Sequence, residues 1–166
     1  MSTEITKTAV VSRDGRFRYR LGRRWGAGRT LAFVMLNPST ADADNDDPTI
    51  RRCIAFAKLH GFDGIDVVNL YAYRATKPVD LKRAGYIVGA ENDTHIREAA
   101  RTAGAVCVAW GDNAAGLYRP YEVLEILASE EVEPMVLDLT ARGIPRHPLM
   151  LRADCKLQAY HKRPNV

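Results

Sequence analysis

Four short apolar runs, separated from one another by helical patterns, constrain the fold of this chain most strongly. The runs are Thr30 to Leu36, Gly64 to Tyr71, Ala105 to Trp110 and Met135 to Leu139. Apolar runs of this length are typical of strands that are buried on both faces. Strands that alternate with helices form a parallel sheet, and right-handed crossovers place helices on both of its faces. The sequence therefore predicts an α/β layer fold.

Local capping signals predict where the helices begin and end. Asp47 provides a carboxylate N-cap, Pro48 fits the first helical position, and Gly61 is a good residue to end that helix. Two further helical patterns cover residues 86–102 and 117–131.

The N-terminal part predicts an additional β-hairpin. Two extended runs flank Arg13, Asp14 and Gly15, and Asp-Gly is a strong hairpin turn signal. We find no repeat, low-complexity tract or linker, so we predict a single α/β domain over residues 1–166.

Composition limits the class of protein. The chain is 46% hydrophobic and 27% charged, which suits one globular domain. No apolar run is long enough for a transmembrane helix, and the N-terminus lacks the apolar core of a signal peptide. The 3 cysteines have neither disulfide nor metal-site spacing. We expect a cytoplasmic protein without membrane contact, metal or cofactor, and the oligomeric state stays open.

Charge is distributed unevenly along the chain. Residues 1–29 carry eight basic and two acidic side chains, and residues 142–166 carry six and one, whereas residues 30–141 are acidic overall. Most of the cations are arginines, which suit forked contacts with phosphate or carboxylate. If the two basic ends meet in space, they form a cationic rim that fits nucleic acid or a nucleotide. The alternative is a soluble surface with uneven charge.

Polar residues follow all four apolar runs. Ligands bind at the carboxyl ends of the strands in an open parallel sheet, so we predict a site there. Asn69 is the most informative residue, because turn formation does not explain an asparagine inside an apolar run. The alternative is that loops are simply polar. The candidate residues at these ends are Asn37, Pro38, Ser39, Asn69, Arg74, Trp110, Asp112, Arg146 and His147.

His147 is the candidate with the clearest chemistry. It lies between Arg146 and Pro148, and neighbouring positive charge would lower its pKa and favour the neutral imidazole. A neutral imidazole N–H can donate to an oxyanion. The alternative is a structural loop histidine.

An acidic cluster precedes the first helix. Asp42, Asp44 and Asp46 resemble the opening of a calcium loop, but the sixth position is Asp47 rather than glycine and the twelfth is Cys53 rather than glutamate. Three interpretations stay open: favourable charge at a helix N-terminus, catalytic use of one aspartate, or a divalent metal site.

Taken together, the loop motifs resemble a known but uncharacterised bacterial and phage domain family. The motifs are Met35 to Asp42, Asp46 to Thr49, Asn69-Leu70, Ala109 to Gly111 and His147 to Leu149. The same order of loops is similar, more distantly, to the uracil-DNA glycosylase superfamily. This second resemblance implies a three-layer α/β/α sandwich with a central four-stranded parallel sheet and a pocket for a flipped base.

The glycosylase resemblance also implies roles for individual residues. Asn37 would position a water molecule, Asn69 would read the base edge, and His147 would stabilise charge on the departing base. Two positions depart from the superfamily pattern, because Met35 replaces a glycine and Leu149 replaces a phosphate-binding serine.

The leading hypothesis is therefore a glycosylase-like hydrolase that acts on the N-glycosidic bond of a base in DNA or in a nucleotide. Asparagine cannot act as a general base, so Asp42 or another aspartate would have to assist Asn37. Arg74 and Arg146 would contact phosphate, while Pro38, Ser39, Trp110 and Asp112 would line the base site.

Two other classes of function stay open. The first is a base-sensing or nucleic-acid-binding module without catalysis. The second is a metal-dependent phosphoester hydrolase that uses Asp42, Asp44 and Asp46.

Overall fold

The computed structural model describes residues 4–161, which form one mixed sheet with helices on both faces. The strands are β1 (Thr6–Val11), β2 (Arg18–Arg24), β3 (Thr30–Met35), β4 (Gly64–Asn69), β5 (Ala105–Val108), β6 (Met135–Val136) and β7 (Gln158–Ala159). The α-helices are α1 (Pro48–Leu59), α2 (Pro78–Arg83), α3 (Asn92–Thr102) and α4 (Arg119–Ser129). Short 3-10 turns cover Asp112–Ala114 and Pro148–Met150. None of the described helices has the length and apolar character needed to cross a bilayer.

The sheet has the strand order β1-β2-β4-β3-β5-β6-β7. The inner strands β4, β3, β5 and β6 pair in parallel, whereas β1, β2 and β7 are antiparallel additions at the two edges. The expectation of a four-stranded parallel sheet is therefore wrong for the sheet as a whole. The hairpin extends the sheet because β2 pairs with β4, with Leu21 opposite Val67. β7 contains only two residues, too few for a recognisable strand pattern.

The predicted N-terminal hairpin is confirmed. β1 and β2 pair antiparallel, and the turn between them is closed by the Ser12 N–H donating to the Phe17 carbonyl at 2.8 Å. Gly15 has a φ of +75°, a conformation that glycine adopts at no steric cost.

The core lies on both faces of the sheet, because successive side chains of a strand point to opposite faces. In β3, Ala32 and Val34 pack in a cluster that includes residues of α3 and α4. Leu31 and Phe33 pack in a second cluster that includes residues of α1. Helices therefore cover both faces, as the alternation of strands and helices predicts.

The helix boundaries follow the local signals where those signals are strong. α1 begins at Pro48, and the Asp47 carboxylate accepts the Ile50 N–H at 2.9 Å, as the capping pattern predicts. The pattern over residues 86–102 is too long, because α3 begins only at Asn92. Tyr86 and Gly89 have φ values of +54° and +93°, which an α-helix does not contain. The helix predicted over residues 117–131 is also too long, because α4 covers only Arg119–Ser129.

We predict that Asp47→Ala lowers the free energy of unfolding by about 1 kcal/mol, the usual cost of a lost N-cap. The second Asp47 oxygen accepts the Ala41 N–H at 3.3 Å, so the substitution also loosens the loop before α1. Chemical denaturation followed by circular dichroism measures the change. The control is Asp44→Ala, which removes an exposed carboxylate from the same loop. Equal stability of the two variants would contradict the prediction.

Candidate functional site

A cavity of about 710 Å³ opens at the carboxyl ends of β3, β4 and β5. The loops after these strands, the loop after β6, the first turn of α1 and the first residue of β2 form its walls. This volume lies in the range of small-molecule pockets. The position is the one that the parallel topology predicts.

Most of the residues predicted from the sequence line this cavity. They are Asn37, Ser39, Asn69, Trp110, Asp112, Arg146 and His147. The four inner strands thus bring residues that are far apart in the chain to the same cavity. Asp42, Pro38 and Arg74 are not part of its lining.

The acidic cluster is used in local structure. The Asp42 carboxylate accepts the backbone N–H groups of Asp44 at 2.9 Å and Asn45 at 2.8 Å, and these bonds lower its pKa. Asp46 forms an ion pair with Arg23 at 2.7 Å. Within residues 4–161 no three histidine, cysteine or acidic side chains come together as a possible metal site. The geometry thus gives the metal-dependent hydrolase no ligand set among these residues.

Pro38 and Arg74 support the cavity from outside its lining. Pro38 is buried, and its carbonyl accepts the Ala75 N–H at 3.0 Å. Arg74 is half-buried and reaches towards the Gly15 carbonyl in the hairpin turn, at 3.5 Å. These contacts join the loop after β4 to the loop after β3 and to the hairpin.

Asn37 has a fixed orientation at the cavity wall. Its Nδ2 donates to the Ala75 carbonyl at 2.8 Å and to the Pro38 carbonyl at 3.0 Å. Its Oδ1 accepts no hydrogen bond from the described residues. An acceptor is thus left for a water molecule or a ligand.

Asn69 ends β4 and is 1% exposed, yet neither polar atom of its side chain has a hydrogen-bond partner among the described residues. Asn92 is equally buried but donates its Nδ2 to two carbonyls, those of Asn69 and Leu70, at 2.9 and 3.1 Å. A buried polar group without a partner costs about 1–3 kcal/mol. A donor and an acceptor are therefore unused in the wall of the cavity.

His147 has a defined tautomer. Its Nδ1 accepts the Leu149 N–H at 3.2 Å, so the neutral ring carries its proton on Nε2. Burial lowers the pKa of His147 below its ordinary value, and the Asp47 carboxylate opposes this shift. The expected neutral imidazole is therefore supported, but its cause is burial rather than the charge of neighbouring arginines.

The Trp-Gly and His-Pro motifs contact each other. Gly111 has φ +81° and ψ 176°, and its N–H donates to the Pro145 carbonyl at 2.9 Å. A Cβ atom at Gly111 would lie 3.3 Å from the His147 Cβ. Trp110, 3% exposed, packs in the core beneath this contact. The glycine thus allows the loop after β5 to hold His147 in place.

Sequence reasoning missed two charged residues of the lining, Arg18 and Asp47. Arg18 is 2% exposed, and its Nη1 donates to the Ala41 carbonyl at 2.9 Å. No signal in the sequence distinguishes it from the other arginines of the hairpin. The capping pattern predicts only a helix cap at Asp47, although its carboxylate also raises the pKa of the cavity residues Arg18 and His147 against the effect of burial.

The two basic ends of the chain meet at this cavity. Arg18 from the N-terminal segment and Arg146 from the C-terminal segment both line it, as do the carboxylates Asp47 and Asp112. Lys162 and Arg163, also counted in the basic C-terminal segment, lie outside the described residues. The lining is thus mixed in charge rather than uniformly cationic.

We predict that Gly111→Ala destabilises the protein by about 1–3 kcal/mol, because its backbone conformation is open only to glycine. The added methyl group also pushes on His147, so the NMR resonances of the His147 ring shift. Gly116→Ala is the control, since Gly116 has a φ of +77° but open space around it. Unchanged His147 resonances in Gly111→Ala, or equal shifts in both variants, would contradict the contact.

Comparison with known protein families gives a match over most of the chain. The family model described as "Protein of unknown function (DUF1643)" matches residues 18–149, which include every lining residue of the cavity except Met150. No curated protein and no solved structure matches the chain. Nothing in these comparisons connects it with the uracil-DNA glycosylases. The extent of the match shows that this chain belongs to the DUF1643 family, a domain family of unknown function.

Proposed function

We propose that this domain is a glycosylase-like hydrolase that acts on the N-glycosidic bond of a base in DNA or in a nucleotide. The observation that carries the proposal is the buried side-chain amide of Asn69, which lines the cavity and finds no hydrogen-bond partner for either polar atom within residues 4–161. An amide offers a donor and an acceptor side by side. The edge of a nucleobase offers the complementary pair, and enzymes that act on bases read that edge in a closed pocket.

Three side chains support the chemistry. The transition state of glycoside hydrolysis resembles an oxocarbenium ion, so charge on the departing base must be stabilised while water adds to the sugar carbon. No described residue bonds to the Nε2–H of His147 or to Oδ1 of Asn37, so the first can donate to the base and the second can hold the water. The nearby Asp47 carboxylate favours positive charge on the sugar. The water molecule is divided between the two products: the base leaves with one of its protons, and the sugar carbon keeps the hydroxyl group.

A second candidate function is a base-sensing module that lacks catalysis. The observation that favours it is that two carboxylates, that of Asp42, the aspartate expected to assist Asn37, and that of Asp47 on the cavity wall, are engaged in hydrogen bonds. Asp42 closes its own loop, and both oxygens of Asp47 accept backbone N–H groups. Activation of water is then weak, because an asparagine cannot take a proton.

The release of free base separates the two functions. The protein is incubated with a panel of oligonucleotides and nucleotides that carry ordinary and modified bases, and mass spectrometry detects any base set free. A hydrolase releases at least one of them, in proportion to enzyme concentration. If the protein binds members of the panel but releases no base, the hydrolase is rejected and the base-sensing module is favoured.

We predict that His147→Ala reduces the rate of base release by about 10²–10³-fold, the usual loss for one oxyanion donor. The matched control is His161→Ala, because His161 is exposed and is not part of the cavity lining. The rates are measured at saturating and at low substrate. A rate for His147→Ala equal to that of the control would exclude His147 from the reaction.

We also predict that activity falls only at pH values below 6.5, the ordinary pKa of histidine. Burial holds the folded-state pKa of His147 below that value, so the neutral donor persists down to lower pH. The unfolded chain takes up the proton first, so the contribution of His147 to stability is complete above 6.5 and is lost as the pH falls. The pH profile of kcat/KM checks the prediction. An acid limb centred above 6.5 would contradict it.

A further inference from the structure

Arg18 differs from the other buried arginines in having no carboxylate partner. Arg23 pairs with Asp46 at 2.7 Å, and Arg119 pairs with Asp93 at 2.5 Å. Among residues 4–161 these three are the buried arginines, and Arg18 is the one without an ion pair within 4 Å. It is also the one that lines the cavity.

Most of the hydrogen-bonding capacity of Arg18 is unused. Its Nη1 donates to the Ala41 carbonyl, but neither Nε nor Nη2 has an acceptor among the described residues. Burial lowers the pKa of Arg18 to about 10, so the guanidinium remains charged at neutral pH. The nearby Asp47 carboxylate is occupied by two backbone N–H groups. A buried cation in this state needs an acceptor that residues 4–161 do not supply.

We propose that Arg18 is a specificity-determining residue that makes the cavity select bases with exocyclic oxo groups over bases with exocyclic amino groups. The inference rests on the proposed function only in taking the ligand to be a base. It concerns recognition and holds whether or not the bond is broken.

The selection follows from the chemistry of the guanidinium group. Arginine donates hydrogen bonds and accepts none, so it suits a ring carbonyl or a pair of adjacent acceptors. An exocyclic amino group is itself a hydrogen-bond donor, so it cannot pair with the N–H groups of the guanidinium. In a buried site, water cannot relieve the mismatch, and the analogue that lacks the acceptor is rejected.

The other cation of the lining is less suited to this role. The side chain of Arg146 is 40% exposed, its Nε donates to the Leu139 carbonyl at 3.2 Å, and it lies 3.5 Å from Asp138. His147 adds one more donor through Nε2, in support of a ligand with several acceptors. The assignment of selectivity therefore falls on Arg18.

Equilibrium binding tests the inference directly. Isothermal titration calorimetry compares inosine with adenosine and uridine with cytidine, each as a free nucleoside and within a short single-stranded oligonucleotide. Each pair exchanges an oxo group for an amino group. We expect the oxo member of at least one pair to bind about 10-fold or more tightly, as one well-placed hydrogen-bond pair provides.

Three variants isolate the side chain. In Arg18→Met the ratio of dissociation constants falls to within about threefold, and in Arg18→Lys, which keeps the charge but loses the fork, it is intermediate. Arg51→Met, which removes an exposed cation from α1 outside the lining, keeps the wild-type ratio. An unchanged ratio in Arg18→Met, tighter binding of the amino members, or no binding of any compound would overturn the inference.

Thermal unfolding distinguishes selection from a structural role. Arg18→Met should unfold at the same temperature as the wild type or above it, because a buried unpaired charge is lost. Arg23→Met should unfold at a lower temperature, because Asp46 loses its partner. A loss of stability in Arg18→Met as large as in Arg23→Met would show that the role of Arg18 is structural.

The two proposals can fail independently. Selective binding of oxo bases without base release would reject only the hydrolase, and base release without this selectivity would reject only the inference about Arg18.

Discussion

The parallel pairing of β3 with β4 and β5 is the interaction on which the site depends. This pairing places Met35 opposite Asn69 and Val34 opposite both Val68 and Val108. The three strands therefore end at the same edge of the sheet. Two apolar clusters, one on each face, hold this arrangement in place. The loops that follow have to meet there, and the cavity forms between them.

The lining of that cavity combines satisfied and unsatisfied polar groups, and the proposed binding site rests on this combination. Asn37 and His147 each use one polar atom to fix their orientation and keep the other free. Asn69 and Arg18 are buried with donors or acceptors unused. Proteins pair nearly all their buried polar groups, so unpaired groups that share one cavity suggest a ligand that completes them. On this proposal, a bound ligand pairs these groups and raises the free energy of unfolding of the protein.

The sequence is most informative where the chemistry is local or repetitive. The turn at Gly15, the cap at Asp47 and the alternation of apolar runs with helices all predict what the structure contains. Asn69 is also predictable, since an asparagine in an apolar run conflicts with its surroundings. The catalytic role proposed for Asp42 finds no geometric support, because three N–H groups of Asp44 and Asn45, in its own loop, donate to the carboxylate.

The parts of the fold and of the site that the sequence does not predict depend on contacts between residues far apart in the chain. The hairpin joins the parallel strands because β2 pairs with β4 across more than forty residues, from Leu21 to Val67. Arg18, at the start of β2, is buried beside the cavity, whereas its sequence neighbours Arg16 and Arg20 are exposed and half-buried, respectively. Short elements such as α2 and β7 contain too few residues for a period to be read.

The side-chain amide resonance of Asn69 tests the central claim most directly. Titration of the protein with inosine or uridine, followed by ¹⁵N-edited NMR, reports on the environment of this one group in the intact chain. If Asn69 reads a base edge, its two amide protons move downfield and become protected from exchange as the site fills. If a ligand binds and these signals stay where they were, Asn69 is not the reader and the cavity does not hold a base in the way described above.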